Sequence, residues 1–156
     1  MDRLLLVCTA NVCRSPMAEA LFRRVLDGVH VMSAGVDAMP GMGADPAAIA
    51  IMRRLGIDLG QHRSQLLARW MIESSALVLT MSERQRQVIA HRYPSLSGRV
   101  CRLLPDEDVA DPYRLDSAAY AATVERLKTG VRHWSGWLAD VTRHTQTLQE
   151  TTHEPS

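Results

Sequence analysis

The chain has 156 residues, a length that suits one domain with a core large enough to fold without disulfides or metals. Eighteen basic and 17 acidic residues leave a formal net charge of +1, so overall charge gives no argument for nucleic acid or an anionic membrane as partner. Three cysteines cannot all pair, and no apolar run approaches the roughly 18 residues of a membrane span, which together favour a cytoplasmic protein without membrane insertion.

Four short apolar runs predict the strands of a parallel sheet, because helical patterns separate them as in successive βα units. These runs are Leu4 to Val7, Val29 to Ser33, Ala76 to Thr80 and Val100 to Leu104. We therefore predict an α/β fold, a single three-layer domain over residues 1–142 in which helices flank a four-stranded parallel sheet.

The first two helices have recognisable ends. A helical stripe over Pro16 to Asp27 follows the first strand, and Gly28 stands where it would stop. Asp45 and Pro46 have the residue types of an N-cap and a first helical position, and Gly56 would end that second helix.

The later helices are predicted from a capping pattern and from periodicity. Ser82 to Gln85 has the pattern of a capping box at the start of a helix. The last helix is expected from Asp116 to Val141, where apolar residues alternate by four and three. Residues 143–156 are polar, and we expect them to form a flexible tail.

The junction between the first strand and the first helix has the composition of a phosphate-binding loop. Cys8 ends the strand, and Arg14 opens the helix six positions later. A thiolate at a helix N-terminus beside a guanidinium is stabilised and can act as a nucleophile at neutral pH, and an arginine can clamp two phosphoryl oxygens. With 17 arginines in the chain this spacing alone is weak evidence, so its place between strand and helix carries the prediction.

The residues between Cys8 and Arg14 fit such a loop. Asn11 tolerates the left-handed backbone of a tight turn, and Ser15 can donate a hydrogen bond to the thiolate. The remaining loop residues are expected to hold the phosphoryl group, chiefly through backbone N–H groups; they are Thr9, Ala10, Val12 and Cys13.

With these residues the chain resembles the low-molecular-weight protein tyrosine phosphatases, whose signature is Cys, five residues, Arg, Ser, Pro after the first strand. The resemblance covers roughly residues 3 to 141. Further matching blocks follow in the family's order; they are Ser33-Ala34-Gly35, His62, Leu77-Val78-Leu79-Thr80-Met81 and Asp111-Pro112-Tyr113.

The resemblance implies a reaction on a phosphotyrosine protein that needs no metal or cofactor and releases inorganic phosphate. Cys8 would be the nucleophile, with Arg14 as the phosphoryl clamp and Asp111 as the general acid. Tyr113 would contact the substrate ring. A supporting hydrogen-bond network would comprise Asn11, Ser15, Ser33 and His62. Without the resemblance, Asp111 would be assigned to a solvated acidic loop.

Three positions depart from the usual family pattern. Ala10 replaces a glycine of the loop, Gln65 stands where an arginine is common, and Met39 occupies a position that many members give to an aromatic wall. An aliphatic residue at that wall, with Gly43-Ala44-Asp45-Pro46 following, is similar to bacterial members associated with capsule or exopolysaccharide production. This similarity suggests a bacterial tyrosine autokinase as the phosphotyrosine protein.

Three rival functions remain to be compared. An arsenate reductase of the same fold needs relay cysteines, but only Cys101 lies beyond the loop. A protein arginine phosphatase resembles the chain around the loop, yet its members carry a threonine where this chain has Val12. A phosphopeptide-binding module would need neither Cys8 nor Asp111.

The six histidines are scattered without the spacing of zinc ligands.

Overall fold

The computed structural model describes residues 3–151, with the side chains of residues 142, 144–146 and 149–151 excepted. Its four strands all pair in parallel, in the order β2-β1-β3-β4. They are Arg3–Cys8 (β1), His30–Gly35 (β2), Leu77–Thr80 (β3) and Val100–Arg102 (β4). The predicted four-stranded parallel sheet is therefore confirmed.

Five α-helices and one 3₁₀ helix, over Pro94–Arg99, connect or follow the strands within the described residues. The α-helices are Arg14–Val25 (α1), Pro46–Arg54 (α2), Arg69–Glu73 (α3), Glu83–Arg92 (α4) and Ser117–Thr151 (α5). No helix in the described part of the chain is long and apolar enough to cross a membrane.

The central strand β1 is buried on both faces, as expected of a parallel strand covered by helices on each side. Leu4 and Leu6 pack in one apolar cluster with residues of α1, α2 and α5. Leu5 and Val7 point the other way and pack with residues of α3 and α4. This alternation divides the core between two interfaces and confirms the three-layer arrangement.

Parallel pairing brings the ends of β1, β2 and β3 to one edge of the sheet. Cys8 is paired with Gly35, and Val7 is paired with Thr80. Any group that follows these strands therefore lies near Cys8, and the start of α1 closes over the same edge.

Helix ends agree with the sequence in part. The capping box of α4 is confirmed, since Ser82 Oγ accepts from the Gln85 N–H at 3.2 Å and Gln85 Oε1 accepts from the Ser82 N–H at 3.0 Å. Asp45 does precede α2, but its side chain makes no cap and instead accepts a hydrogen bond from the hydroxyl of Tyr120.

The last helix is longer than predicted. The expected end at Val141 is wrong, because α5 continues to Thr151. No glycine or proline interrupts residues 142–151, and Arg143 Nη2 forms an ion pair with Asp140 Oδ1 at 2.6 Å on the same helix. The segment 143–151 of the expected tail is therefore helical, and residues 152–156 lie outside the described residues.

Candidate active site

The segment that joins β1 to α1 folds as a tight loop over Cys8. Asn11 has a φ of 56°, which confirms the left-handed conformation predicted for it. This turn directs the Asn11 N–H toward the Cys8 sulfur, with N and Sγ 3.3 Å apart. Cys8 itself is only 3% exposed, so its sulfur lies at the bottom of the loop.

The side chain of Asn11 is completely buried, and both its amide nitrogen and its amide oxygen are hydrogen-bonded. Its amide nitrogen donates to Ser15 Oγ at 2.8 Å and to Ser33 Oγ at 2.9 Å. Its amide oxygen accepts from the Gln65 N–H at 2.9 Å, and its backbone oxygen lies 2.7 Å from His62 Nε2. The structure thus brings the four predicted supporting residues together, and a satisfied buried network of this kind holds a loop in one conformation.

Ser15 connects this network to the cysteine. Its Oγ accepts a hydrogen bond from Asn11 and lies 2.9 Å from Cys8 Sγ. Its hydroxyl proton has two acceptors within reach, the Cys8 sulfur and the Ala34 carbonyl oxygen at 3.5 Å, and the shorter contact is the one to the sulfur. A hydroxyl that donates to sulfur in this way stabilises a thiolate.

Glu19 is a member of the network that the sequence analysis missed. Ser33 Oγ donates to Glu19 Oε2 at 3.3 Å. Burial raises the pKa of the Glu19 carboxyl, while Arg23, His62 and the Ser33 hydrogen bond lower it. The position of Glu19 on helix α1 does not reveal its contact with Ser33 from the sequence alone. This contact depends on how β2 packs beside α1.

Gly35 and Gln85 also support the loop from distant parts of the sequence. A Cβ at Gly35 would lie 2.5 Å from the Thr9 carbonyl oxygen, so only glycine lets the loop pass this close to β2. Gln85 Nε2 donates to Thr9 Oγ1 at 3.1 Å. The sequence indicated the role of Gly35, because it belongs to the Ser33-Ala34-Gly35 block of the family. It did not indicate the contact between Gln85 and Thr9, since Gln85 was predicted only as a capping residue of α4.

Arg14 joins the loop to the segment that carries Asp111. Its guanidinium is nearly buried, and Nη1 donates to the Val109 carbonyl oxygen at 2.9 Å. Arg14 Nη2 lies 3.8 Å from Asp111 Oδ2, whose side chain is 54% exposed. The two predicted residues are therefore adjacent. The Asp111 carboxylate is open to solvent, and the Arg14 guanidinium is held in place by its hydrogen bond to the Val109 carbonyl oxygen.

These groups surround a cavity of about 260 Å³ above Cys8. Its lining contains most of the predicted site: Cys8, Thr9, Ala10, Val12, Cys13, Arg14, Asp111 and Tyr113. Met39 is not part of this lining and is 70% exposed, so its contact with a substrate ring stays a prediction.

The second cysteine of the loop is unlike a nucleophile. Burial raises the pKa of the Cys13 thiol to about 12, with further contributions from Asp45, Asp111 and Cys8 that outweigh the opposing effect of Arg14. Cys13 therefore stays protonated at neutral pH, which is unfavourable for a nucleophile.

Chemically, the cavity combines a thiol, a guanidinium group and a carboxyl group at its rim, and phosphoryl transfer through a covalent intermediate uses groups of these three kinds. Among the described residues, no group of three or more His, Cys, Asp and Glu side chains could hold a metal ion.

Known proteins are similar to this chain in sequence and in fold. The family model for low molecular weight phosphotyrosine protein phosphatase matches residues 3–149. The chain is 43% identical over 133 residues to the probable low molecular weight protein-tyrosine-phosphatase EpsP of Ralstonia nicotianae, across 84% of the chain and 92% of EpsP. The YwlE arginine phosphatase from Geobacillus stearothermophilus superposes with a TM-score of 0.84 at 33% identity, covering 100% of both chains. The tyrosine phosphatase Wzb from Escherichia coli K30, in complex with sulphate, has a TM-score of 0.84 at 30% identity, over 88% of this chain and 98% of Wzb.

Proposed function

Because the chain belongs to the low molecular weight protein tyrosine phosphatase family, we propose that Cys8, Arg14 and Asp111 carry its reaction. The protein is a metal-independent, cysteine-dependent phosphatase that hydrolyses phosphotyrosine. The observation that carries the residue assignment is the cavity above Cys8, where the sulfur, the guanidinium and the carboxylate line one space.

In the first step, the Cys8 thiolate attacks phosphorus and forms the S–P bond. The P–O bond to tyrosine breaks, its electron pair goes to the phenolic oxygen, and Asp111 gives that oxygen a proton. Arg14 and the backbone N–H groups of residues 9–13 hold the three other phosphoryl oxygens, on which charge is spread in the transition state.

In the second step, water attacks phosphorus while the Asp111 carboxylate takes its proton. The S–P bond breaks, inorganic phosphate leaves, and the thiolate is restored. Ser15 stabilises this leaving thiolate through the contact between Oγ and Sγ at 2.9 Å. The same carboxyl group thus acts as acid in one step and base in the next.

The partner proposed for this reaction is a bacterial tyrosine autokinase of polysaccharide export, met in the cytoplasm. Its support is the aliphatic Met39 and the Gly43-Ala44-Asp45-Pro46 segment, in which the chain resembles polysaccharide-associated members of the family. Val12, in the lining of the cavity, distinguishes the loop from that of the arginine-specific members.

The proposal is tested by hydrolysis of p-nitrophenyl phosphate, a phosphotyrosine peptide and a phosphoarginine peptide in the presence of a chelator. We expect hydrolysis of the first two, preference for phosphotyrosine over phosphoarginine, and loss of activity in Cys8→Ser. Unchanged turnover in the serine variant would falsify the nucleophile assignment. Preferred cleavage of phosphoarginine would move the substrate to the arginine-specific class.

A further inference from the structure

A second cavity, of about 450 Å³, adjoins the reaction cavity on the side of α4. Thr9 lines both cavities, so a single residue of the loop forms the wall between them. This wall is fixed, because Thr9 Oγ1 accepts from Gln85 Nε2 at 3.1 Å and Gln85 is itself buried and held in the capping box of α4. A substrate chain that leaves the reaction cavity over Thr9 enters this second space at once.

One face of α4 forms the floor of the second cavity. Arg84, Val88 and Arg92 are spaced by four residues, so they follow each other along one side of the helix, and all three line the cavity. We call them the α4 stripe. It places two guanidinium groups on either side of one aliphatic side chain.

The positive charges of the two arginines of the stripe have few partners among the described residues. The Arg84 side chain is exposed and has no hydrogen bond or ion pair with any residue that the structure describes. The Arg92 side chain is exposed and makes one long hydrogen bond, from Nη1 to the Val36 carbonyl oxygen at 3.3 Å. On another face of the same helix, by contrast, Arg86 is paired with Glu83. Asp37 is the one acidic residue of the cavity lining, against two arginines.

We propose that the α4 stripe is a subsite for an anionic side chain, a carboxylate or a second phosphoryl group, within a few residues of the phosphotyrosine. The inference rests on the proposed function, since it takes the phosphotyrosine ring to occupy the cavity above Cys8. An extended peptide that crosses the wall at Thr9 passes over the stripe, where Arg84 and Arg92 meet its anionic groups and Val88 packs against its aliphatic portions. Arginines bind both carboxylates and phosphoryl groups through the same planar fork.

The test compares three phosphotyrosine peptides: one with glutamates on both flanks, the same peptide with glutamines, and one with a second phosphotyrosine in place of the glutamates. Each is assayed with the wild-type chain and with the double variant Arg84→Gln and Arg92→Gln. The matched control is Arg53→Gln with Arg54→Gln on α2, because both are exposed and outside the second cavity, and the change in net charge is the same. Hydrolysis of p-nitrophenyl phosphate, which has no flanking residues, reports the basal reaction of every variant.

We expect the wild type to prefer the glutamate or the doubly phosphorylated peptide over the glutamine peptide by about three- to tenfold in kcat/KM, as two partly exposed ion pairs provide. The stripe variant should lose this preference, whereas the α2 control should keep it, and all three should cleave p-nitrophenyl phosphate alike. The stronger of the two anionic peptides identifies the natural anion as carboxylate or phosphoryl.

The subsite would be overturned by a wild type that does not discriminate among the peptides, or by a preference that persists in the stripe variant. Equal loss in the stripe variant and the α2 control would also overturn it, because the preference would then follow from overall charge. Absence of p-nitrophenyl phosphate hydrolysis in the wild type would overturn the proposed function itself, and that outcome is distinct from the others.

Discussion

At the scale of single residues, Asn11 ties the reaction loop to the rest of the molecule. Its φ of 56° sets the turn, and its amide connects Ser15 to Ser33 across the end of the sheet. Each polar group in this buried network has a partner, and leaving one unpaired costs about 1–3 kcal/mol. The sulfur of Cys8 owes its position to these contacts, in which neither Arg14 nor Asp111 takes part.

The proposed role of Asp111 as the general acid can be tested with substrates whose leaving groups differ. We predict that Asp111→Asn slows phosphotyrosine cleavage by about 10² to 10⁴ fold. An activated aryl phosphate should lose considerably less, because its leaving group needs little protonation. Single-turnover rates of the phosphorylation step are the quantities to compare, since Asp111 is also the proposed base of the second step.

Asp106→Asn is the matched control for this substitution, because Asp106 is an exposed carboxylate of the same loop that lines neither cavity at the loop. It should retain wild-type rates with both substrates. An equal loss for good and poor leaving groups in Asp111→Asn would indicate that the residue supports the loop rather than donating a proton.

At the scale of elements, the segment before Asp111 is attached to the start of α4. Asp108 Oδ1 accepts from the Glu83 N–H at 2.9 Å and pairs with Arg102 Nη1 at 3.2 Å. The carboxylate therefore meets both the positive end of a helix and a guanidinium. Behind it, the Val109 N–H donates to the Met81 carbonyl oxygen at 2.7 Å, which anchors the segment to the end of β3.

We predict that Asp108→Asn weakens this attachment and so positions Asp111 less well. The rate for phosphotyrosine should fall by about twofold to fivefold, the range of an exposed ion pair, while an activated aryl phosphate falls less. Single-turnover rates with the two leaving groups measure it, again with Asp106→Asn as control. If the single-turnover rate of the Asp108 variant fell by the same factor with both leaving groups, the prediction would be wrong, and Asp108 would contribute to the stability of the fold rather than to the position of Asp111.

Helix α5 carries two glycines in opposite environments. A Cβ at Gly130 would lie 2.4 Å from Leu103 Cγ, a side chain that is completely buried, whereas a Cβ at Gly136 would meet nothing within 4 Å. Glycine inside a helix costs about 1 kcal/mol relative to alanine, so each substitution begins with the same gain in helix propensity.

We therefore predict opposite effects of alanine at the two positions. Gly136→Ala should raise the free energy of unfolding by up to about 1 kcal/mol. Gly130→Ala should lower it, because overpacking against Leu103 typically costs about 1–3 kcal/mol and exceeds the propensity gain. Urea denaturation of both variants measures this difference, and stabilisation by Gly130→Ala would show that Leu103 can move aside.

At the scale of the whole molecule, the features predicted correctly from the sequence are those that depend on residues close together in the chain. The apolar run of β1, the Cys8 to Arg14 spacing and the capping box at Ser82 each depend on neighbours in the chain, and the structure has all three. Helix α3, with only five residues and no periodicity, was not predicted. Polar composition after Val141 suggested an end to α5, although polar residues continue a helix equally well when no glycine or proline intervenes.

Contacts between distant segments were beyond prediction from the sequence. Gln85 reaches Thr9 across 76 positions, and Glu19 reaches Ser33 because α1 packs beside β2. Nothing in either local sequence sets these distances, since they follow from the order of the strands. The α4 stripe is similar, because its spacing is visible in the sequence but its place beside the reaction cavity depends on the fold.

The most direct measurement is identification of the covalent intermediate. Asp111→Asn is mixed with an activated aryl phosphate, quenched during turnover, digested with trypsin and analysed by mass spectrometry, with Cys8→Ala as control. We predict a phosphoryl group on peptide 4–14, located on Cys8 rather than Cys13, and none in the control. Release of phosphate without any phosphorylated cysteine, or a phosphoryl group on another residue of the active chain, would contradict the proposed mechanism.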